Sequence, residues 1–259
     1  MIGPAALAGL AAEAGLASPS VVLSALDEPI WESLYQPDLG LYPASMIKLP
    51  IALVLSERCA AGTNRWAESV IIDAANLTAN DAPSPFVVGA PASLGDLLHA
   101  MIADSDNVAT NVLIDVLGRE TIAASCAPFG LRATAVRRKL SGSLPLIEDP
   151  QASGRNTHPA SDAALVLRAL ALHPDAERRV VLAALGAQRW NDKLSRGLRP
   201  GDRFAHKTGD TEDVSHDGGI LTLADGRRYL LVVYTSLAAG PENDARFARF
   251  AAALRPYLD

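Results

Sequence analysis

The sequence is poor in the features that mark several classes of protein. Of its 259 residues only two are cysteines, so no disulfide framework is expected. Cys59 and Cys126 can pair in an oxidising compartment, or both can be buried apolar side chains. No stretch of 18 apolar residues occurs, so we predict no transmembrane helix.

Basic residues are too few and too scattered for a nucleic-acid surface. The net charge is −6, and the basic run at 137–139 is short and isolated. Residues 1–16 are rich in alanine and leucine, but they have no basic residue near the start and are interrupted by Glu13. A secretory signal has a basic start and a longer apolar core. We therefore predict an amphipathic helix here and a cytoplasmic protein, or a periplasmic or secreted one if a signal segment was removed.

The remaining composition is that of a globular chain, with 49% hydrophobic and 20% charged residues. Strand patterns lie near both ends of the chain, at Val21–Leu26, Pro29–Tyr35, Phe204–Thr208, Gly219–Leu223 and Tyr229–Thr235. Helical patterns cover Met46–Cys59, Ser93–Ala103, Asn107–Leu117, Ser161–Leu172, Ala176–Leu185 and Glu242–Leu258. This order favours an α+β fold, with an antiparallel five-stranded sheet flanked by helices plus an all-helical lobe. We expect residues 1–36 and 195–259 to form the sheet lobe and residues 37–194 the helical lobe, with a site between them.

Ser45-Met46-Ile47-Lys48 is the first of three short strings that carry chemistry. Residues three apart share a helix face, so Lys48 is predicted to lie beside Ser45. A neutral lysine can take the serine proton if burial and a second cation such as Lys207 lower its pKa. Taken alone, the string also fits a capping serine with a solvated lysine.

The other two strings are Ser105-Asp106-Asn107 and Lys207-Thr208-Gly209. Alone, the former fits a helix cap and the latter a turn at a strand edge. In a catalytic interpretation, the Ser105 hydroxyl passes a proton to a leaving amine and the Asn107 amide binds a substrate carbonyl. The third string then presents a cation and a hydroxyl to the pocket, and its glycine lets substrate approach the backbone.

In this order, the three strings resemble the motif set of the class A β-lactamase-related serine hydrolases. The resemblance extends to the neighbouring segments 42–48, 105–111, 206–209 and 214–219. It implies an acylated nucleophile, its base partner, a proton shuttle and an electrostatic group, which are Ser45, Lys48, Ser105 and Lys207. The implied substrate contacts are Asn107, Thr208, Gly209 and Asp210, and the implied oxyanion donors are the backbone N–H groups of Ser45 and Asp210. No metal or organic cofactor is implied, and we expect a monomer acting on a small molecule.

The chain departs from that family where a Glu-x-x-x-Asn loop carries the glutamate that activates the deacylating water. Counting back from Arg155 without gaps places the glutamate at Ser143 and the asparagine at Ile147, and neither residue fits. Glu148 or Asp149 can take the role if the loop is rebuilt, or both can simply be solvated.

The end of the third string also departs, because Asp210 follows it. β-Lactams and peptidoglycan stems present a carboxylate here, and a nearby aspartate lowers affinity for an anion. We therefore expect a substrate that is neutral or cationic at this end. His216 fits either a second acid–base group or a structural histidine.

The sequence thus predicts a serine hydrolase that acts on an ester, amide or lactam through a covalent acyl-enzyme. Three alternatives stay open. They are a genuine class A-like β-lactamase with another water activator, a D,D-peptidase-like acyltransferase, and a non-catalytic binding or biosynthetic accessory protein on the same fold.

Overall fold

The computed structural model describes residues 1–172 and 174–259. The strands are β1 (Ser20–Ala25), β2 (Glu32–Tyr35), β3 (Ser69–Ile71), β4 (Pro91–Ser93), β5 (Arg203–Asp210), β6 (Ser215–Thr222) and β7 (Arg228–Thr235). Five of them form one antiparallel sheet in the order β2-β1-β7-β6-β5, while β3 and β4 pair separately. The predicted α+β class and five-stranded sheet are confirmed, and β5, which carries Lys207, lies at an edge.

Helices cover both faces of the sheet. They are α1 (Pro4–Glu13), α2 (Lys48–Ala60), α3 (Leu94–Ala103), α4 (Asn107–Leu117), α5 (Arg119–Cys126), α6 (Ala160–Ala171), α7 (Ala176–Gly186) and α8 (Pro241–Leu254). Alternation along β7 divides the core: Leu231 and Val233 pack with residues of α1 and α8, whereas Leu230 and Val232 pack with residues of α2 and α6. The sheet is therefore a layer between two helical layers.

Helix α2 is the centre of the helical part. Every residue from Lys48 to Ser56 is buried, and the helix packs against α3, α5, α6 and α7. A helix buried on all sides is apolar all round, which matches Leu-Pro-Ile-Ala-Leu-Val-Leu at 49–55. Lys48 is the charged exception in this run, and its burial is the basis of the site described below.

Several boundaries differ from the sequence predictions. Strand β6 begins at Ser215 rather than Gly219, because His216 and Asp217 are fully buried through hydrogen bonds instead of apolar character. The sequence missed α5 and the small β3–β4 sheet, whose strands are three residues each. The C-terminal helix ends at Leu254 and continues as a 3-10 turn.

The structure bears on two sequence predictions, one about membrane-spanning helices and one about a disulfide. Within the described ranges, none of the helices is both long and apolar enough to cross a membrane. Cys59 and Cys126 are free thiols rather than a disulfide, and burial raises the pKa of each to about 11. Both are therefore inert packing residues.

Candidate active site

Ser45 lies on a 3-10 turn, Ala44–Ile47, that leads directly into α2. The preceding residue, Ala44, has φ 47°, a left-handed conformation that is uncommon without glycine. Strand β5 packs closely on this turn at Gly209, where an added Cβ would lie 3.0 Å from the Pro43 carbonyl oxygen and 3.1 Å from the Met46 nitrogen. Gly209 thus brings the strand of the third motif against the turn of the first.

Lys48 is completely buried and all three of its ammonium protons have acceptors. Its Nζ lies 2.5 Å from the Ser105 carbonyl oxygen, 3.0 Å from Ser105 Oγ and 2.9 Å from Asn107 Oδ1. Burial, followed by the charge of Lys207, lowers the pKa of Lys48 well below its usual range, while Asp106 and Asp81 oppose this shift. The pKa of Lys48 is therefore shifted in the direction that the predicted base role requires.

Lys207 approaches the same hydroxyl from the sheet. Its Nζ lies 3.0 Å from Ser105 Oγ and 2.9 Å from the Thr208 carbonyl oxygen. Burial lowers the pKa of Lys207 to about 7; the charge of Asp210 opposes the shift and that of Lys193 adds to it. Ser105 Oγ is thus 3.0 Å from two buried amines, on a residue with φ 61°. Left-handed backbone at a non-glycine residue is a form of strain often found at functional sites.

Asn107 is held by the protein at both ends of its amide. Its Oδ1 accepts from Lys48, and its Nδ2 donates to the Ala79 carbonyl oxygen at 3.0 Å. Asp106, between the two motif residues, caps α4 by accepting from Ala109 N–H at 2.8 Å. The Nδ2 group has a second N–H, which can donate to a substrate carbonyl while the Ala79 contact is kept.

Asp210 is not a free negative charge, because a residue that the sequence analysis missed neutralises it. Lys193 Nζ lies 2.6 Å from both carboxylate oxygens, and Ser215 Oγ donates to Oδ1 at 2.8 Å. Lys193 is only 4% exposed. No motif surrounds Lys193 in the sequence, and only the packing of its loop against β5 and β6 reveals its role.

A buried pair holds the loop that carries Lys193. His206 Nδ1 lies 2.7 Å from Asp217 Oδ1, and His206 Nε2 lies 3.1 Å from Asn191 Oδ1. Asp217 Oδ2 accepts from Leu194 N–H at 3.1 Å. Residues on either side of Lys193 are thereby tied to the two strands at the sheet edge.

His216 has the surroundings of a structural histidine. It is fully buried, its Nε2 lies 2.8 Å from the Tyr42 carbonyl oxygen, and Thr235 N–H donates to its Nδ1 at 3.2 Å. Burial lowers the pKa of His216 to about 4, although backbone contacts at Tyr42 and Ser215 oppose the shift. The neutral ring stacks on Tyr234 with 4.1 Å between centroids and joins the segment that leads to Ser45 to the sheet.

The loop from Ser141 to Asn156 has its polar groups committed elsewhere. Glu148 and Ser143 are exposed, whereas the side chain of Asp149 is only 3% exposed, forms an ion pair with Arg119 at 2.6 Å and accepts from Lys139 N–H at 2.7 Å. Asn156 Oδ1 accepts the N–H groups of residues 137 and 138 at 2.7 and 3.0 Å. Asp149 therefore has a structural role here, and the structure brings Glu148 into no contact with the motif residues among those described.

The motif residues meet at a cavity of about 380 Å³. Four of them form part of its wall, namely Ser45, Ser105, Thr208 and Gly209, together with Asp210, which follows the third motif. The rest of the wall comes from residues that the sequence analysis did not identify: Asp81, Trp190, Asp192, Lys193, Ala239 and Asp244. These lie in loops and at a helix start, and charged residues in such places are normally solvated, so no sequence signal distinguished them.

Comparisons with known proteins bear on the fold and the family of the chain. A model described as the beta-lactamase enzyme family matches residues 5–258. A beta-lactamase from Xanthomonas campestris pv. campestris is 22% identical, with a TM-score of 0.85 and coverage of 98% of each chain. A beta-lactamase from Sphaerobacter thermophilus is 23% identical (TM-score 0.82; 98% of this chain and 97% of that one). The structure of PBP-A is 20% identical (TM-score 0.84; 99% and 97%).

A comparison with curated proteins gave no match. The solved structures, at these identities, bear on the fold alone, whereas the family model covers nearly the whole sequence. The chain therefore belongs to the beta-lactamase enzyme family.

Proposed function

We propose that this protein is a serine hydrolase that forms a covalent acyl-enzyme at Ser45 with an ester, amide or lactam. The observation that carries the proposal is the position of Ser105 Oγ, 3.0 Å from both Lys48 and Lys207 at the cavity that Ser45 lines. A serine needs a nearby base to become nucleophilic, and buried amines that repel each other supply one at neutral pH.

In this proposal, acylation uses both serines and the buried amine of Lys48. Neutral Lys48 takes the Ser45 proton, and Oγ attacks the substrate carbonyl. We expect the backbone N–H groups of Ser45 and Asp210 to stabilise the oxyanion, as backbone donors held in place before the reaction need no reorganisation. The Ser105 hydroxyl gives a proton to the leaving group and regains one from Lys48.

The charge of the cavity bears on the substrate class. Lys193 neutralises Asp210, so Asp210 alone repels an anion less than the sequence indicates. Asp81, Asp192 and Asp244 also line the wall, and burial together with the neighbouring Asp210 and Asp192 raises the pKa of Asp244. We infer that the cavity favours a substrate without a carboxylate at this end, such as a neutral or cationic ester or amide. If a carboxylated substrate binds more tightly than its methyl ester, this inference about the substrate is wrong.

Intact-mass spectrometry tests the proposal directly. The wild type and Ser45→Ala are incubated with a penicillin, a cephalosporin and simple esters. We expect an acyl adduct or product release with the wild type and neither with the variant. Wild-type protein that gains no mass and releases no product overturns the proposal and favours a binding or accessory protein on this fold.

The same measurement separates the enzymatic alternatives. Rapid, repeated hydrolysis of nitrocefin that Ser45→Ala loses indicates a genuine β-lactamase. A lasting penicillin adduct indicates a D,D-peptidase-like acyltransferase; a single-residue variant of the related PBP-A has been solved as an acyl-enzyme complex with penicillin G. The cytoplasmic location and the monomeric state stay predictions.

A further inference from the structure

We propose that Asp81 activates the water that releases the acyl group from Ser45. The inference rests on the proposed acyl-enzyme and supplies the step for which the sequence offers no family glutamate. Asp81 lies in the wall of the same cavity as Ser45 and Ser105.

The chain just before Asp81 is fixed to the second motif. Asn107 N–H donates to Asn80 Oδ1 at 2.5 Å, and Asn107 Nδ2 donates to the Ala79 carbonyl oxygen at 3.0 Å. Two consecutive residues are thus bonded to the asparagine that also accepts from Lys48. The position of Asp81 is therefore tied to the catalytic centre, although Asp81 itself lies in a loop.

The same segment, residues 76–81, is anchored from its other side. Thr78 Oγ1 accepts from Gly142 N–H at 2.9 Å, and the Asn76 carbonyl oxygen accepts from Asn111 at 3.3 Å. Contact with the loop is so close that a Cβ added at Gly142 would lie 1.9 Å from the Ala79 carbonyl oxygen. The loop from Ser141 thus packs directly on the segment that ends in Asp81.

Asp81 differs from the other carboxylates near the two lysines in being uncommitted. Asp106 caps α4, Asp210 is bound by Lys193, and Asp217 is bound by His206. Asp81 is exposed and makes no hydrogen bond or ion pair with any residue the structure describes. Its charge also acts on both Lys48 and Lys207, where it opposes the lowering of the pKa that burial causes. An exposed carboxylate with free lone pairs beside the cavity can accept a proton from water.

Release of the acyl group begins when Asp81 takes one proton from a water molecule as the water oxygen bonds to the acyl carbon. The tetrahedral intermediate collapses, the bond from that carbon to Ser45 Oγ breaks, and the free acid leaves. Ser45 Oγ regains a proton from the Ser105 hydroxyl, which is replenished with the proton that Asp81 accepted.

Asp81→Asn keeps the size of the side chain and removes the base. With an activated ester followed in the millisecond range, we expect an acylation rate within about threefold of the wild type. Steady-state turnover should fall about 100-fold or more, which is the usual contribution of a general base. The Ser45 adduct should accumulate in the intact-mass spectrum. Asp81→Glu, which restores a carboxylate, should recover part of the turnover.

Glu148→Gln is the matched control, since it removes an exposed carboxylate outside the cavity and should change neither phase. Three results overturn the inference while the proposed function stands: Asp81→Asn that deacylates as the wild type does, Asp81→Asn that loses acylation to the same degree as turnover, or wild-type protein that keeps its adduct. Wild-type protein that is never acylated at Ser45 overturns the proposed function as well.

Discussion

The surroundings of Ser105 and the loop from Ser141 to Asn156 both bury charge, but they treat it differently. Lys48 is buried against three uncharged oxygens, and its pKa is driven down. Asp149 is buried against Arg119 and a backbone N–H, and these contacts hold the pKa of Asp149 below its ordinary value even though burial alone would raise it. A buried charge with an opposite partner stabilises structure, whereas one without such a partner is primed to change its protonation.

Ser45→Ala should produce the largest effect, because it removes the atom that reacts. We expect acylation by an activated ester to fall by about 10⁴-fold or more. Stopped-flow release of the leaving group measures it, and unchanged melting shows that the fold is intact. If the variant is still acylated at near the wild-type rate, the nucleophile lies elsewhere. The surroundings of Ser105 would then not be the catalytic region.

Lys48→Met should separate activity from stability. Acylation should fall by about 10²- to 10⁴-fold, while the melting temperature should rise, because a buried amine without a carboxylate partner is replaced by an apolar chain. Lys193→Met is the control, since it breaks the ion pair between the buried Lys193 and the more exposed Asp210, so melting should fall. If both variants melt lower than the wild type, the distinction between paired and unpaired charge is wrong here.

The pH profile of acylation should be bell-shaped. The rate should rise as Lys48 loses its proton and fall as pH rises through about 7, where Lys207 loses its charge. Along the falling limb, the acylation rate should decrease about tenfold for each pH unit. Lys207→Arg keeps a cation at every accessible pH, so it should remove the falling limb. A falling limb that persists in the variant belongs to another group.

Asp149→Asn should have a smaller effect, confined to stability. We expect a loss of about 1–3 kcal/mol in the free energy of unfolding, because the partly buried Arg119 loses its counter-charge. Since the folded protein holds the pKa of Asp149 below 3.8, this stabilisation is full above that pH and is lost as the pH falls through the lowered value.

Denaturant titrations at pH 7 and pH 3 measure that effect, and the difference between Asp149→Asn and the wild type should shrink at the lower pH. Glu148→Gln is the neighbouring control and should lie within about 0.5 kcal/mol, as is usual for exposed positions. Hydrolysis should stay within about twofold in both variants. A large loss of hydrolysis in Glu148→Gln would indicate that the group that activates the deacylating water lies in the loop from Ser141 to Asn156.

The two regions also differ in how far the sequence could predict them. Acyl transfer requires given residue types at short spacings, so the spacing alone could identify Ser45 and Lys48 as candidates for one site. The bonds from Lys48 to Ser105 and Asn107 could not be predicted in this way. Lys193 and Asp81 act through contacts with residues far away in the chain, such as Asp210 and Asn107, and no local pattern records such contacts. His216 was open to two interpretations because its environment depends on Tyr42 and Thr235, which lie on other elements.

The sequence predicted the long, strongly periodic helices and strands better than the short ones. Long patterns such as β7 and α4 were identified almost to the residue. The three-residue strands β3 and β4 are too short for a period to show, and the start of β6 is polar. Those polar residues are buried because they form hydrogen bonds with residues far away in the sequence. Hydrophobic patterning carries no information about such bonds.

The contact between Gly209 and the nucleophile turn has a consequence for laboratory evolution. A library randomised at 209 should favour glycine, because any Cβ there requires the Pro43 carbonyl and the Met46 nitrogen to shift by a few tenths of an ångström, and not because the backbone at 209 is unusual. Attempts to reshape this end of the cavity therefore cannot treat the strand and the turn as separate targets. Useful variants at 209 should appear only in libraries that also vary the 43–46 turn.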